Sequence, residues 1–523
     1  MSNSVEVKQK VSFLNRFLNA VEIIGNKLPH PIVLFGIFAI VVVVLSGLCS
    51  SMGFSESGYL VNRKTGGVEL QTIKVISLLN GKGFAYMLTK MVTNFTGFAP
   101  LGTVLVAMLG VGVAESSGYI SSLLKRTVEI TPRRLITPVI VFLGVMSNIA
   151  GDAGYVVLIP IGALMFLAYG RHPLAGLAAA FAGVSGGFSA NLLIGTLDPL
   201  LTGITNEAIK IIDPNYVIYP TCNWYFMAAS TFLITIVGTL ITDKLIEPRL
   251  GTYQRSESLS DIDVSTPLDD VQKRALKWGN LSFVAMVVGL ILLALPQNSF
   301  LRNPSTGSLI DKAPLMDGII PIVMAYFMIP AIVYGKMAGT FKSHRDVCKA
   351  MGKSMAMMSS YTALIVVSSQ FIAYFKYTQM GTVLALKGAK LFASAGLHPI
   401  VIMVLFVFFS ASANLLMGSA SAKWTFLAPV FVPMFMLLGF SPELVQCAYR
   451  IGDSCTNVIT PLMSQFVTIV VFTRRYDDKA GIGTLTSMML PYSMSFLFTW
   501  TILLMIWMGM GWPIGPGARL MLH

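Results

Sequence analysis

Neither a GxxxxGKS/T phosphate loop nor an HExxH motif occurs in this chain, so a nucleotide-driven pump and a familiar zinc hydrolase are both unsupported. Histidine is scarce. His30, His172, His344, His398 and His523 stand singly in loops or at the ends of apolar runs, and His172, within Arg-His-Pro, reads as a membrane-surface turn residue. Cys49, Cys222, Cys348, Cys447 and Cys455 form no CxxC and no zinc spacing, and they read as small packing residues with free thiols. Charge is the largest deficit: 12% of residues are Asp, Glu, Lys or Arg, against about 25% in a soluble domain. The net charge of +13 does not indicate a nucleic-acid partner, because the basic residues sit in short segments between apolar runs, which is the orientation signal of a membrane protein. No enzyme is expected, and no cofactor beyond a sodium ion.

What is present is apolar length. The chain is 54% hydrophobic with a mean hydropathy of +0.72. Runs near residues 31–49, 98–114, 224–242, 280–295, 318–334, 356–375 and 486–511 have about the length a lipid bilayer requires. No cleavable signal peptide is apparent; Phe13, Phe17, Val21 and Ile24 fall at helical spacing among basic residues, which predicts an interfacial helix inside the cell. Lys and Arg likewise place 117–135, 243–278, 335–355 and 474–484 inside, while 205–222, 297–317 and 512–523 are poor in them and belong outside. Residues 51–85 and 376–396 must also lie outside, although each carries several basic residues.

A repeat organises the chain. Tyr155, Pro160, Gly170, Pro173 and Gly183 recur at a constant offset as Trp424, Pro429, Gly439, Pro442 and Gly452. Each copy ends in a polar, Gly- or Pro-broken patch, GVSGGFSANLLIGT at 183–196 and GDSCTNVITP at 452–461. The loop assignment makes the first copy enter from inside and the second from outside, an inverted repeat. The expected fold is therefore an all-α polytopic membrane protein: about nine transmembrane helices plus two opposed re-entrant hairpins. The first half, 1–250, holds a hairpin at about 136–170 and a broken helix at about 174–203. A cytoplasmic linker spans 251–277. The second half, 278–523, holds a hairpin at about 398–439 and a broken helix at about 442–473. Duplicated broken segments are the best sequence pointer to the binding site of a secondary transporter; hairpins that meet at mid-membrane argue against a continuous channel.

Half-helix N-termini present unpaired N–H groups to anions, and unwound carbonyls coordinate cations. Asp453, Ser454, Cys455, Thr456 and Asn457 read as a cation shell that Asn414 and Gly418 at a hairpin tip complete. The first copy offers Ser147, Asn148, Asp152, Ser189 and Asn191. Arg450 and Asp453 share a helix face within an apolar span, where function is the default reading. Arg450 suits a carboxylate or sulfonyl oxygen, or it forms an internal ion pair that fixes packing. Asp198, before Pro199, is a second candidate carboxylate or a helix-end residue. Trp424 either stacks on an aromatic substrate or anchors at the membrane interface.

The stretches NFTGFAPLGTVLV (94–106), GRHPLAGLAAAFAGVSGGFSANLLIGTLDPLLTGI (170–204), GSASAKWTFLAPVFVPMFMLLG (418–439) and YRIGDSCTNVITP (449–461) resemble the AbgT family of bacterial inner-membrane transporters. The resemblance implies nine helices and two opposed hairpins in a homodimer. It implies import of p-aminobenzoyl-glutamate or export of sulfonamide antimetabolites, driven by a sodium or proton gradient. It places substrate or transport roles on Asp198, Trp424, Pro442, Arg450, Asp453 and Pro461, and a cation site on Asn414, Gly418 and Asp453. Lys423 departs from the pattern, since an uncharged residue is expected before Trp424; it would favour a dianionic substrate or snorkel to water.

Overall fold

The computed structural model describes residues 29–61, 68–150, 154–253, 268–463, 465–478 and 480–522. The interfacial helix expected within 1–29, Asp152 and most of the 251–277 linker lie outside the described residues. The fold is almost wholly helical. All seven apolar runs are helices: α1 (Pro31–Ser51), then α2 (Gly81–Thr96) leading into α3 (Ala99–Ser117), and five further helices between Trp224 and Met510. By length and composition, eight helical stretches of the described residues can cross a membrane, or ten if two bent pairs each count as one span.

Two of the segments read as basic loops, 117–135 and 335–355, hold helices. α4 (Tyr119–Glu129) buries Ile120, Leu124 and Val128 along one face, and a 118° bend separates it from the next apolar helix. Its charged face lowers the mean hydropathy enough to hide the helix. α5 (Ile136–Ser147) and α6 (Ile159–Ala168), entered through a π turn at Gly154–Leu158, form the first helix pair. α7 (Pro173–Phe181) runs into a second π turn, Ala182–Gly186, before the chain breaks and resumes as α8 (Leu197–Ile209). α9 (Trp224–Ile241) completes the first half, and α10 (Asp270–Ala294) opens the second. α10 starts inside the stretch expected to be linker, because Asp269 and Gln272 form a capping box that extends the helix outward.

α11 (Ile319–Ala338), α12 (His344–Met357) and α13 (Ser359–Tyr377) follow, then α14 (Met380–Ser394). The last of these pairs with the segment whose charge fitted poorly outside. Strands β1 (Ser55–Val61) and β2 (Val68–Lys74) form an antiparallel hairpin, and Lys390 bonds Glu56 at 2.5 Å while Lys387 lies over the Phe54 ring at 3.7 Å. The two segments thus share one face, and basic residues among them serve that contact.

The second helix pair is α15 (Pro399–Leu416) and α16 (Ala420–Leu437). Each has 18 residues, about 27 Å of helix, so length alone lets either cross a bilayer. α17 (Pro442–Thr456), a short 3-10 turn at Asn457–Ile459, α18 (Phe466–Arg474) and α19 (Ile482–Met510) end the chain's helices.

The repeat is visible in local geometry. Gly170 and Gly439 take φ of +70° and +88°, a left-handed turn that other residues adopt at a cost. A capping residue and a proline follow each: His172 with Pro173, and Ser441 with Pro442. His30 and His398 cap their helices in the same way, through Nδ1, so three of the five histidines serve as helix caps. Gly183 and Gly452 let the broken helices lie directly against a hairpin helix: an added Cβ would sit 2.4 Å from the carbonyl of Val141 and of Val407 respectively. Apolar side chains such as Ile40, Leu292 and Ile506 remain more than half exposed, as lipid-facing helices require.

Candidate functional site

The two breaks lie together with residues that flank the turns of both helix pairs. Ser189 N–H donates to Ser454 Oγ at 3.1 Å, joining the first break to α17. A cavity of about 380 Å³ lies beside this junction, lined by Tyr155, Phe188, Leu197 and Leu200 from the first copy and by Gly418–Ser421, Asn457, Leu462, Met463 and Gln465 from the second. Its size is within the range of small-molecule sites, roughly 300–1,000 Å³. Three helix N-termini border it: Leu197 opens α8, Ser419 caps α16 and Gln465 precedes α18. Their unpaired N–H groups and positive dipole ends favour an anion.

Ser185 falls in a GxSxG string, 183–187. The spacing is that of a hydrolase nucleophile, but the string lies on a π turn rather than on a strand-to-helix elbow. The Ser185 hydroxyl accepts from Tyr155 and faces Met463 Sδ at 3.3 Å.

Among the described residues, two ion pairs have both partners buried. Arg450 Nη1 donates to Asp198 Oδ1 at 2.7 Å, and Nη2 donates to the Ser189 carbonyl at 2.9 Å. Arg450 Nε and Ser189 Oγ have no hydrogen-bond partner among the described residues. Asp198 is further held by the Gly195 N–H at 2.8 Å. The second pair is Lys423 Nζ with Asp453 Oδ1 at 2.6 Å, both side chains at most 2% exposed. Lys423 therefore does not snorkel. Its ammonium also donates to Asn414 Oδ1 and approaches the Met417 carbonyl.

Trp424 is fully buried, so it is not an interfacial anchor. Its ring stacks on Tyr449 with centroids 4.3 Å apart, and its Nε1–H donates to Thr205 Oγ1 at 2.9 Å. Thr205 in turn donates to Gln446 Oε1, Gln446 Nε2 donates to Asn223 Oδ1, and Asn223 donates to the Glu443 carbonyl. Asn414, Gly418, Asp453 and Asn457 are all brought together. Asn414 Nδ2 lies 2.8 Å from Asn457 Oδ1, 2.9 Å from Thr456 Oγ1 and 2.7 Å from the Asp453 carbonyl, and Gly418 packs against the Leu462 carbonyl. Pro461 lies in the second break, directly before Leu462 of the cavity wall. Pro442 is set apart, at the opposite end of α17, about 16 Å of helix rise from Asp453.

Sequence reasoning did not single out Glu443, Gln446, Tyr449 or Thr205. The signal for the first two was available: Glu443, Gln446, Arg450, Asp453 and Asn457 follow the 3–4 spacing of one helix face. Thr205 and Asn223 carry no such pattern, because their partners come from the other copy.

Comparison with known proteins gives one consistent picture. The model of the AbgT putative transporter family matches residues 16–522. The p-aminobenzoyl-glutamate transport protein of Escherichia coli (strain K12) is 38% identical over 498 residues, 95% of either chain. Among solved structures, the Alcanivorax borkumensis YdaH transporter, reported to have an unusual topology, superposes with a TM-score of 0.86 at 45% identity, covering 93% of this chain and 100% of its own. Neisseria gonorrhoeae MtrF, described as illuminating a class of antimetabolite efflux pumps, gives 0.91 at 46% identity, covering 96% and 100%.

Proposed function

Because the chain belongs to the AbgT family of membrane transporters, we propose that it carries p-aminobenzoyl-glutamate or a related aromatic carboxylate by cation-coupled alternating access. It is a multi-pass membrane transporter rather than an enzyme. The observation that carries the substrate reading is the 380 Å³ cavity bordered by three helix N-termini drawn from both copies. Such a site attracts a substrate with more than one negative group, and Tyr155 and Phe188 supply ring surface for an aromatic body.

The charge of Arg450 is already matched by Asp198. A substrate carboxylate gains the guanidinium only by exchanging with that internal carboxylate. Exchange at this pair is where loading is tied to the coupling cation. Asp453, the second buried carboxylate of the site, is paired with Lys423. The protein works as a homodimer in the bacterial inner membrane, N-terminus in the cytoplasm, with the two helix pairs re-entrant and moving against the remaining helices.

A second reading is export of sulfonamide-type antimetabolites through the same site, favoured by the 46% identity to MtrF. Sulfonamides share the aniline ring and an acidic head with p-aminobenzoyl-glutamate. Radiolabelled p-aminobenzoyl-glutamate and a labelled sulfonamide, offered to proteoliposomes under separate sodium and proton gradients, test both. Gradient-dependent uptake of the first that Arg450→Ala abolishes supports the proposal. Movement of the sulfonamide alone moves the assignment to efflux, and movement of neither overturns both readings.

A further inference from the structure

We propose that the ammonium of Lys423 is a tethered cation: it holds the position between the second hairpin tip and α17 that a sodium ion would take, so this site binds no sodium. The inference rests on the reading of Asp453 and its neighbours as a coupling-cation site.

Ligand accounting carries the argument. A sodium ion here needs oxygens converging from the hairpin tip and the second break with no N–H pointing at the centre. The oxygens do converge, but N–H groups fill them. Lys423 Nζ donates to Asp453 Oδ1 at 2.6 Å and to Asn414 Oδ1, and it lies 3.5 Å from the Met417 carbonyl. These three are a carboxylate, an amide oxygen and a backbone carbonyl, the ligand types an unwound cation site offers. The remaining acceptors, Asn457 Oδ1, Thr456 Oγ1 and the Asp453 carbonyl, face the Asn414 amide nitrogen at 2.7–2.9 Å.

Charge balance agrees. Asp453 and Lys423 cancel, as do Asp198 and Arg450. A sodium ion added to this set would leave one uncompensated positive charge in a buried place, which is costly. The tether also limits release. Lys423 is on the first turn of α16, next to Trp424, which is clamped by Tyr449 and Thr205. The ammonium leaves Asp453 only if that turn of α16 moves. Lys423 thus supplies a fixed cation where a diffusible one would sit, and the charge opposite Asp453 stays constant whatever the external sodium concentration.

The test uses purified full-length protein and no transported substrate, so its outcome is separate from that of the substrate assignment. Melting temperature and ²²Na⁺ binding are measured in NaCl against choline chloride at equal ionic strength. Wild type is expected to be indifferent to sodium. Lys423→Gln is expected to gain saturable ²²Na⁺ binding and a sodium-specific rise of roughly 2–4 °C, and adding Asp453→Asn should abolish both. Should Lys423→Gln fold poorly in choline, its recovery by sodium during purification is the same result, with the charge-free pair Lys423→Met, Asp453→Asn as the folded reference. Sodium-specific stabilisation of wild type that Asp453→Asn removes overturns the proposal. So does a Lys423→Gln variant that sodium neither stabilises nor rescues.

Discussion

Arg450 and Asp198 are 252 residues apart in the chain and 2.7 Å apart in the fold, with both side chains buried. Each comes from the broken segment of one repeat copy. The contact therefore ties the two copies together.

Breaking this pair from either side strands a buried charge. Asp198→Asn is expected to destabilise the protein by about 3–5 kcal/mol and to abolish transport. Asp198→Asn with Arg450→Gln removes both charges and should recover most of the stability without recovering transport. Thermal unfolding of the three proteins, with uptake measured alongside, checks this. If the double variant is no more stable than Asp198→Asn alone, the pair is not the source of the loss.

Trp424 offers a graded test. Trp424→Phe keeps a ring against Tyr449 and loses the Nε1–H donated to Thr205, which should cost about 1 kcal/mol. Trp424→Ala empties a fully buried volume and should cost about 3–5 kcal/mol. A role confined to packing predicts uptake that falls in step with stability. A role in gripping substrate predicts that Trp424→Phe stays folded yet shows a raised KM.

Much of this architecture was legible because apolar length and a fixed repeat offset are local properties of a sequence. The seven apolar runs, the helix pairs near 136–170 and 398–439, and the breaks after Gly183 and Gly452 are all present in the fold. α4, α12 and α14 were hidden, since one charged face dilutes their hydropathy. The partner of Arg450 could not be read. Its nearest acid in sequence is Asp453, one helical turn away, but that carboxylate turns to Lys423, and Asp198 arrives from the other copy. Pairing across an inverted repeat leaves no trace in the spacing of either strand of sequence. Lys423 was conspicuous; that its ammonium points inward to Asp453 rather than outward to water depended on the turn of α16.

Gln446 is the centre of a polar bridge between copies, accepting from Thr205 at 2.6 Å and donating to Asn223 at 2.9 Å. Gln446→Met matches its length and removes both bonds; Thr205 keeps the Leu201 carbonyl at 2.9 Å as an acceptor, and the buried Asn223 Oδ1 loses its donor. The expected cost is about 1–3 kcal/mol. Gln446→Glu keeps an acceptor for Thr205, but it loses the donor to Asn223 and, when ionised, buries an unpaired charge. Gln446→Met should therefore be the more stable of the two at neutral pH, with the gap closing as pH falls toward the carboxyl's own range. Melting curves across pH decide it, and a gap that widens on acidification would contradict the assignment.

The last prediction separates backbone contact from helix propensity. At Gly452 an added methyl would sit 2.4 Å from the Val407 carbonyl and 2.7 Å from Ala411 N, with Ser410 Cβ equally near. Backbone atoms cannot swing aside as a flexible side chain can, so α17 must move away from α15. Gly452→Ala should cost roughly 1–3 kcal/mol. It should also disturb the Lys423–Asp453 pair one residue further on, and so reduce transport beyond what the loss of stability explains. Gly289, in α10, has nothing within 4 Å of the same added atom. Gly289→Ala should leave transport unchanged and, by improved helix propensity, stabilise by up to about 1 kcal/mol. Opposite signs in a paired melting experiment establish that Gly452 is required for close approach. Equal effects at the two positions would mean that α17 and α15 are not packed backbone to backbone.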